Sequence, residues 1–182
     1  ISLLAETPAT FCPLARRITD ADVMPLVSVE SLKLVNGLGG ISDTVPRRLL
    51  YEKFRVHGVE FETVIHPSAV IASDVSIGDG AQIMAGAVIQ PGVSIGANAI
   101  VNTRASIDHD CQIGDHTHIA PGVTLSGNVV VGAGAHIGTG ACAIQGTRIG
   151  ESSVVGAGAV VIGSVPAGEH HVGIPAARVK KP

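Results

Sequence analysis

The chain has 182 residues and a formal net charge of −3, and it contains 23 glycines but only three Phe, one Tyr and no Trp. Because small aliphatic side chains fill only a narrow core at normal packing density, this composition argues against a wide sandwich or a doubly wound sheet. The absence of a basic cluster before Lys180–Lys181 argues against nucleic acid as a partner, and no apolar run reaches the ~18 residues of a membrane span.

Residues 1–62 have the pattern of a small α/β domain. Strands are predicted at Ile1–Ala5 and at Lys33–Asn36, and a helix is predicted from about Thr44 to His57. Ser42 or Asp43 is expected to cap this helix, with Pro46 in its first turn.

The stretch Gly37-Leu38-Gly39-Gly40 joins the second strand to the helix. A glycine-rich turn that leads into a helix presents backbone N–H groups suited to a phosphate. Such turns are also common as plain structural turns, so the pattern alone leaves both interpretations open.

From residue 63 onward an aliphatic side chain returns at every sixth position. The series is Ile65, Ile71, Ile77, Ile83, Ile89, Ile95, Val101, Ile107, Ile113, Ile119, Leu125, Val131, Ile137, Ala143, Ile149, Val155 and Val161. A second register of small or branched side chains, from Ala69 to Val165, follows four residues later. Glycine often follows the aliphatic residue directly, where we expect it to relieve a sharp backbone bend. These glycines are Gly78, Gly96, Gly114, Gly132 and Gly150.

A six-residue period fits neither an α-helix nor a simple alternating strand. It indicates short strands separated by corners, with equivalent residues stacked ~4.8 Å apart on successive coils. The pattern resembles the hexapeptide-repeat acyltransferases. That resemblance implies a left-handed parallel β-helix over residues 63–182, with three hexapeptides per coil, assembled as a homotrimer with active sites between subunits.

One histidine lies in a motif that suits acyl transfer. Acetyl transfer from a thioester needs a base for the acceptor's proton and a donor for the developing oxyanion. His109 follows Asn102 by seven residues and lies between Asp108 and Asp110, which we expect to orient its ring. Gly127 is 18 residues further on, one coil above His109, with a backbone N–H suited to the oxyanion.

The segment from Asn102 to Asp110 resembles the catalytic motif of the sialic-acid O-acetyltransferase and nucleotide-amino-sugar N-acetyltransferase branch of that family. The resemblance implies that His109 is the general base, Asp110 its partner, and Asn102 and Gly127 further catalytic residues. It also implies acetyl-CoA as co-substrate, with His118 near its acetyl end. Since His118 is half a coil from His109, the two are expected to meet only across a subunit interface. The remaining residues assigned to CoA are Thr139, Ala157, Gly173, Pro175 and Arg178.

The same branch carries a Rossmann-like domain that binds the sugar nucleotide. Gly37, Gly39 and Arg47 match its glycine loop and helix, and Glu6 matches an acidic position after a strand. The family's first strand and its GxGGH-like loop do not occur in residues 1–62, so we expect this α/β domain to be incomplete and nucleotide binding to depend on it.

Two other classes of protein share such repeats. A zinc enzyme of the γ-carbonic anhydrase type needs a histidine pair five residues apart, which the repeats lack, so no metal is expected. A structural solenoid needs ladders of outward Thr, which are also missing. We therefore expect a cytoplasmic enzyme that acetylates the 4-amino group of a nucleotide-linked amino-deoxy sugar, the alternative being O-acetylation of sialic acid or a related sugar.

Overall fold

The computed structural model describes residues 2–4, 16–18, 23, 33–40 and 43–179. The chain divides into two compact units, residues 1–33 and 34–182, which are treated separately. In the first unit, β1 (Ser2–Leu4) pairs in parallel with β2 (Arg16–Ile18). Strand β1 lies inside the first predicted strand, and the predicted site residue Glu6 lies outside the described residues.

Three short elements precede the repeats: β3 (Lys33–Leu34), α1 (Val45–Arg55) and β4 (Glu60–Phe61). Strands β3 and β4 form a two-stranded sheet. The N-cap of helix α1 is Thr44, which makes no side-chain capping hydrogen bond, so the predicted cap by Ser42 or Asp43 was wrong. Asp43 instead accepts the backbone N–H of Val45 on its Oδ1 at 2.9 Å. The second predicted strand was too long, because the Asn36 side chain bonds to the backbone of Leu38 and of Arg47 and not to a neighbouring strand.

Seventeen two-residue strands follow, and every one ends on a residue of the predicted aliphatic series. Their bounds are β5 (Val64–Ile65), β6 (Val70–Ile71), β7 (Ser76–Ile77), β8 (Gln82–Ile83), β9 (Val88–Ile89), β10 (Ser94–Ile95), β11 (Ile100–Val101), β12 (Ser106–Ile107), β13 (Gln112–Ile113), β14 (His118–Ile119), β15 (Thr124–Leu125), β16 (Val130–Val131), β17 (His136–Ile137), β18 (Cys142–Ala143), β19 (Arg148–Ile149), β20 (Val154–Val155) and β21 (Val160–Val161). The predicted six-residue register is confirmed at each position.

The strands form three parallel sheets, one on each side of a three-sided coil. Sheet A contains β7, β10, β13, β16 and β19; sheet B contains β5, β8, β11, β14, β17 and β20; sheet C contains β6, β9, β12, β15, β18 and β21. Residues 18 apart are paired, so that Val101 lies between Ile83 and Ile119 in sheet B. The fold is therefore a parallel β-helix of about six coils, as the repeat predicted.

The aliphatic series and the second register together form the core. From Ala81 to Val165 the residues of both registers are buried, whereas Ile65 in the first coil is 46% exposed. At the other end, β22 (His170–Val172) pairs with β20, and β23 (Ala177–Val179) turns back antiparallel to β22. The predicted narrow aliphatic core is thus closed by the chain's C-terminal hairpin.

The corners between sheets contain a third six-residue register. Fourteen successive positions, from residue 80 to residue 158, have a φ between +54° and +75°. Eight of them are Gly, and the others are Asn98, Arg104, Asp110, His116, Asn128 and Ser152. A positive φ suits the third residue of a type II turn, which explains how the chain turns sharply from one sheet into the next at each corner.

The glycines that directly follow the aliphatic residue serve another purpose than predicted. Gly78, Gly96, Gly114, Gly132 and Gly150 all lie at the corner between sheets A and B, and their φ values are not positive. A Cβ added at Gly114 would lie 2.6 Å from the backbone N of Ala133 on the next coil. These positions do lie at a bend, but they are glycine because adjacent coils approach too closely for a side chain and not because of the backbone conformation.

Helix α1 and residue 34 onward belong to the same compact unit as the repeats. A Rossmann-like domain over residues 1–62 and its boundary at 62/63 remain predictions. In the described part of the chain, no helix has the length and apolar character needed to cross a bilayer.

Candidate active site

His109 lies at the corner where sheet C passes into sheet A, between strands β12 and β13. The next residue, Asp110, has a φ of +59°. This conformation turns the chain directly after His109, so both side chains project from the corner, and both are more than half exposed.

The imidazole of His109 is held by one carboxylate. Its Nδ1 donates to Oδ2 of Asp110 at 2.8 Å, which leaves Nε2 as the unprotonated nitrogen of the neutral ring. This hydrogen bond raises the pKa of His109 above its ordinary value. The Asp108 carboxylate does not contact the ring but accepts the backbone N–H of His109 at 2.8 Å. His109 is therefore oriented as a general base whose free nitrogen is Nε2.

Two glycines on adjacent coils make room for the His109–Asp110 pair. A Cβ added at Gly127, one coil above, would lie 2.5 Å from Nε2 of His109. A Cβ added at Gly92, one coil below, would overlap Oδ1 of Asp110. The pair thus occupies a slot that exists only because both neighbouring positions lack a side chain.

A second cluster of polar groups lies on the outer face of sheet B. The Nδ1 of His118 donates to the carbonyl oxygen of Gly40 at 2.6 Å, and its Nε2 accepts from Nδ2 of Asn102 at 3.2 Å. Because a carbonyl only accepts, His118 must carry its proton on Nδ1. The Oδ1 of Asn102 accepts the backbone N–H of Thr103 at 2.7 Å, which fixes the orientation of the amide.

His136 lies one coil above His118, with the two ring centroids 5.0 Å apart in an edge-on arrangement. Burial, followed by the nearby His118, lowers the pKa of His136 to about 4. Its Nδ1 is buried and has no hydrogen-bond partner among the described residues. Burial also lowers the pKa of His118, so both rings are neutral at neutral pH.

The two clusters are separate within one chain. Asn102 lies at the corner between sheets B and C, His109 lies at the next corner, and strand β12 runs between them. The structure therefore brings together His109, Asp110 and Gly127, and separately brings together Asn102 and His118.

The residues predicted to bind CoA fall into two places. Thr139 and Ala157 are exposed and stack at the corner between sheets B and C, above Asn102. Gly173 and Pro175 lie in the C-terminal hairpin, where the carbonyl of Gly173 accepts the backbone N–H of Val160 at 3.0 Å.

The same hairpin holds Arg178. Its Nε lies 3.3 Å from Oε1 of Glu169, while Nε2 of His171 lies 2.9 Å from Oε2 of the same carboxylate. Arg178 remains 71% exposed, so it can still meet a phosphate.

Of the residues predicted to bind the sugar nucleotide, the two loop glycines are exposed and the arginine is buried. Gly37 and Gly39 are exposed, and an added Cβ would contact nothing at either position. Arg47 is 1% exposed, and its guanidinium donates to backbone carbonyls of Asn36, Leu38 and Asn98.

Comparisons with known proteins show the family of the chain. A family described as bacterial transferase hexapeptide (six repeats) matches residues 74–109 and 92–127, and a hexapeptide repeat of succinyl-transferase matches residues 129–162. The structure of the acetyltransferase domain of PglB from Neisseria gonorrhoeae FA1090 is 32% identical, with a TM-score of 0.86 over 97% of this chain and 85% of that one. The chain belongs to the hexapeptide-repeat acetyltransferases.

Two further solved structures lie in the same group. One is a histidine-to-asparagine variant of perosamine N-acetyltransferase from Caulobacter crescentus in complex with CoA and GDP-perosamine, 36% identical over 92% of this chain and 79% of that one, with a TM-score of 0.84. The other is WeeI from Acinetobacter baumannii AYE, 28% identical over 93% and 81% of the two chains, with a TM-score of 0.75. None of the curated proteins matches the chain by sequence. The predicted resemblance to this branch of acetyltransferases is confirmed.

Three residues of this acetyltransferase were missed by the sequence analysis. Gly92 lies 18 positions before Asp110, so the coil period contained a signal that was not used. Asn36 and Gly40 lie in the predicted strand and glycine stretch, but their contacts with Asn98 and His118 gave no signal, because they span 62 and 78 positions. The described residues contain no group of three or more His, Cys, Asp and Glu side chains arranged to hold a metal ion.

Proposed function

We propose that this acetyltransferase transfers the acetyl group of acetyl-CoA to the 4-amino group of a nucleotide-linked amino-deoxy sugar. The observation that carries the proposal is the orientation of His109, whose Nδ1 is bonded to Asp110 and whose unprotonated Nε2 faces the Gly127 slot. Relatives whose structures contain acetyl-CoA, or CoA with GDP-perosamine, support the two substrate classes.

His109 Nε2 accepts a proton from the amine as its nitrogen attacks the thioester carbonyl. The Asp110 carboxylate stabilises the imidazolium that forms, and the backbone N–H of Gly127 donates to the oxyanion. When the carbon–sulfur bond breaks, the proton on His109 passes to the departing CoA sulfur. The products are the acetamido sugar and free CoA thiol.

A second copy of the chain completes the site. Asn102 and His118 lie one corner away from His109, so one chain does not bring the two clusters together. A homotrimer places the His109 corner of one subunit against the Asn102 corner of the next. His118, Thr139, Ala157, Gly173, Pro175 and Arg178 then hold CoA along that groove.

Sugar-nucleotide binding is proposed for the exposed loop that contains Gly37 and Gly39 and for Glu6. Arg47 contributes by holding this loop, since its guanidinium is buried against the loop's carbonyls. Because both substrates are intracellular metabolites, we expect the enzyme to work in the cytoplasm.

The first experiment measures release of free CoA thiol with a panel of UDP-, GDP- and TDP-linked 4-amino sugars and with free sialic acid. Turnover of one nucleotide amino sugar is the expected result. Turnover of sialic acid alone would instead establish the O-acetyltransferase alternative, which the same base would serve.

Replacement of His109 tests the base. We expect His109→Ala to lower kcat by ~10²–10⁴, the usual range for loss of a general base. His57→Ala removes an exposed histidine beyond helix α1 and should leave kcat unchanged. If His109→Ala kept more than about a tenth of the activity, another group would have to take the proton.

A further inference from the structure

A cluster of buried polar side chains lies between the glycine loop and the β-helix, away from the His109–Asp110 pair. Its members are Asn36, Arg47, Gln82 and Asn98, and each is at most 6% exposed. Burying a polar side chain costs free energy unless it is hydrogen-bonded, so the partners of these four side chains show what the cluster holds in place.

The cluster fixes the backbone of the loop at its start. Nη1 of Arg47 donates to the carbonyl oxygens of Asn36 at 2.7 Å and of Leu38 at 2.6 Å. Nε2 of Gln82 donates to the same Asn36 carbonyl at 2.6 Å. Oδ1 of Asn36 accepts the backbone N–H of Leu38 at 3.1 Å.

The cluster is also attached to the β-helix. Nε of Arg47 donates to the carbonyl oxygen of Asn98 at 3.1 Å, and Nδ2 of Asn36 donates to Oδ1 of Asn98 at 3.1 Å. Burial lowers the pKa of Arg47 to about 10, so the guanidinium remains charged at neutral pH and keeps its donors. The loop is therefore anchored to the same face of the coil that presents His118.

The third carbonyl of this alternating series belongs to Gly40, and it accepts from Nδ1 of His118 at 2.6 Å. Gly40 is buried, unlike the exposed residues 37–39 before it. Each of the carbonyls at positions 36, 38 and 40 is thus bound from the inner side of the loop. A shift of the loop would move the acceptor on which the tautomer of His118 depends.

We propose that Arg47 and Asn36 are positioning residues, which set the tautomer of His118 through the Gly40 carbonyl and thereby orient the Asn102 amide. This inference rests on the proposed function, in which His118 and Asn102 lie at the acetyl end of CoA. With Nδ1 protonated, Nε2 accepts one hydrogen of the Asn102 amide and leaves the second hydrogen for a ligand. With Nε2 protonated, two donors would face each other and the amide would be displaced.

The cluster also gives the glycine loop a direct connection to the reaction. Residues that bind a nucleotide at Gly37 and Gly39 would act on the same backbone whose next carbonyl holds His118. In the proposed function, the nucleotide sugar and the acetyl group of CoA are therefore coupled through the loop of residues 37–40.

The test is the conservative variant Arg47→Lys, with Arg48→Lys as the matched control. Both residues lie on helix α1, but Arg48 is partly exposed and lies near Glu52. A lysine keeps the charge at position 47 but has one nitrogen, so it cannot reproduce both the Nη1 bonds to the Asn36 and Leu38 carbonyls and the Nε bond to the Asn98 carbonyl. Long-range ¹H–¹⁵N spectra report the protonated nitrogen of each neutral histidine ring, and the His118 signals are assigned by their loss in His118→Gln.

We expect Arg47→Lys to move His118 from the Nδ1–H form to a mixture of tautomers and to lower kcat at least ~10-fold, while Arg48→Lys changes neither. If His118 kept the Nδ1–H tautomer in a folded Arg47→Lys enzyme, the proposal would be wrong, whatever the loss of activity. The spectra are recorded without substrate, so the test of the tautomer remains valid even if the enzyme acetylates no sugar in the panel.

Should Arg47→Lys fail to fold, Asn36→Ala replaces it. Asn36→Ala leaves the guanidinium in place and removes the side chain that holds the Leu38 N–H. The same shift in tautomer is expected, and an unchanged Nδ1–H signal in that variant would equally overturn the inference.

Discussion

At the scale of single residues, the His109–Asp110 pair depends on a residue that makes no hydrogen bond to it. Gly92 lies beneath the Asp110 carboxylate, and a Cβ there would overlap Oδ1. We expect Gly92→Ala to push the carboxylate away from Nδ1 of His109 and to lower kcat/KM at least ~10-fold. The measurement is steady-state acetylation of whichever acceptor the enzyme turns over.

Gly146 provides a matched control for this substitution. It occupies the same corner three coils above, its φ of +74° equals the +75° of Gly92 within a degree, and an added Cβ would contact nothing. Both alanine variants should lose similar stability from the left-handed backbone. Equal losses of activity in the two variants would show that only backbone strain matters, and would remove Gly92 from the site.

Asp110 itself controls the pH at which His109 works. Its hydrogen bond raises the pKa of His109, so removing the carboxylate lowers that pKa. Since the base is active when neutral, Asp110→Asn should move the acid limb of the kcat/KM profile to lower pH, with a lower plateau from the poorly oriented ring. A limb that stayed in place or moved to higher pH would contradict the assignment of Asp110 as the partner of His109.

At the scale of the repeating element, the corner between sheets A and B is defined by backbone contact. Gly78, Gly96, Gly114, Gly132 and Gly150 bring adjacent coils together at this corner, whereas Ala120 is accommodated at the same step of the corner between sheets B and C. The corner between sheets A and B thus has glycine at this step on every coil from β7 to β19, whereas the corner between sheets B and C has glycine only on its upper coils, where a Cβ added at Gly138 would lie 2.5 Å from the backbone N of Ala157.

Gly114→Ala tests the need for glycine at the corner between sheets A and B. Its Cβ would meet backbone atoms of the next coil, which have no flexible end to move aside. We expect a loss of ~1–3 kcal/mol in the free energy of unfolding, as for overpacking, measured by urea titration. Gly163→Ala is the control, because that glycine lacks both a positive φ and a close neighbour, and it should be neutral or slightly stabilising.

At the scale of the whole molecule, the sequence predicted the β-helix because each strand, corner and stacking partner is determined by residues within one 18-residue coil. An aliphatic residue every sixth position determines strand, corner and stacking partner, so seventeen strands from β5 to β21 follow from one period. The position of Gly127 directly above His109 was predictable for the same reason, since 18 residues equal one coil.

The contacts made by residues 34–61 could not be predicted in this way. Asn36, Gly40 and Arg47 reach partners 51 to 78 positions away, and no period relates them to the repeats. Arg47 illustrates the difference: its place on a helix after a glycine loop suggested a ligand-binding residue, but its burial among carbonyls was decided by how the loop packs on the coil.

The packing of residues 34–61 on sheet B also makes the free energy of unfolding of the whole protein sensitive to acid. Burial is the main cause that lowers the pKa values of His116, His118 and His136, and that of His136 falls to about 4. In the unfolded chain these rings titrate near the ordinary value of ~6.5. Between about pH 6.5 and 4 the unfolded state therefore binds protons that the folded state does not, so stability rises with pH in this window and is lost as pH falls.

Replacement of His136 should flatten that dependence. At pH 7.5 His136→Phe removes no charge, because the ring is neutral there, and it removes the Nδ1 that has no partner in the described part of the chain. On lowering the pH to 4.5, wild type should lose up to about 3 kcal/mol more unfolding free energy than this variant, the value that corresponds to the shift at His136 alone. His57→Gln, at an exposed histidine, should retain the wild-type slope. Parallel slopes for wild type and His136→Phe would mean that His136 is protonated in the folded protein, and the neutral buried pair on sheet B would have to be abandoned.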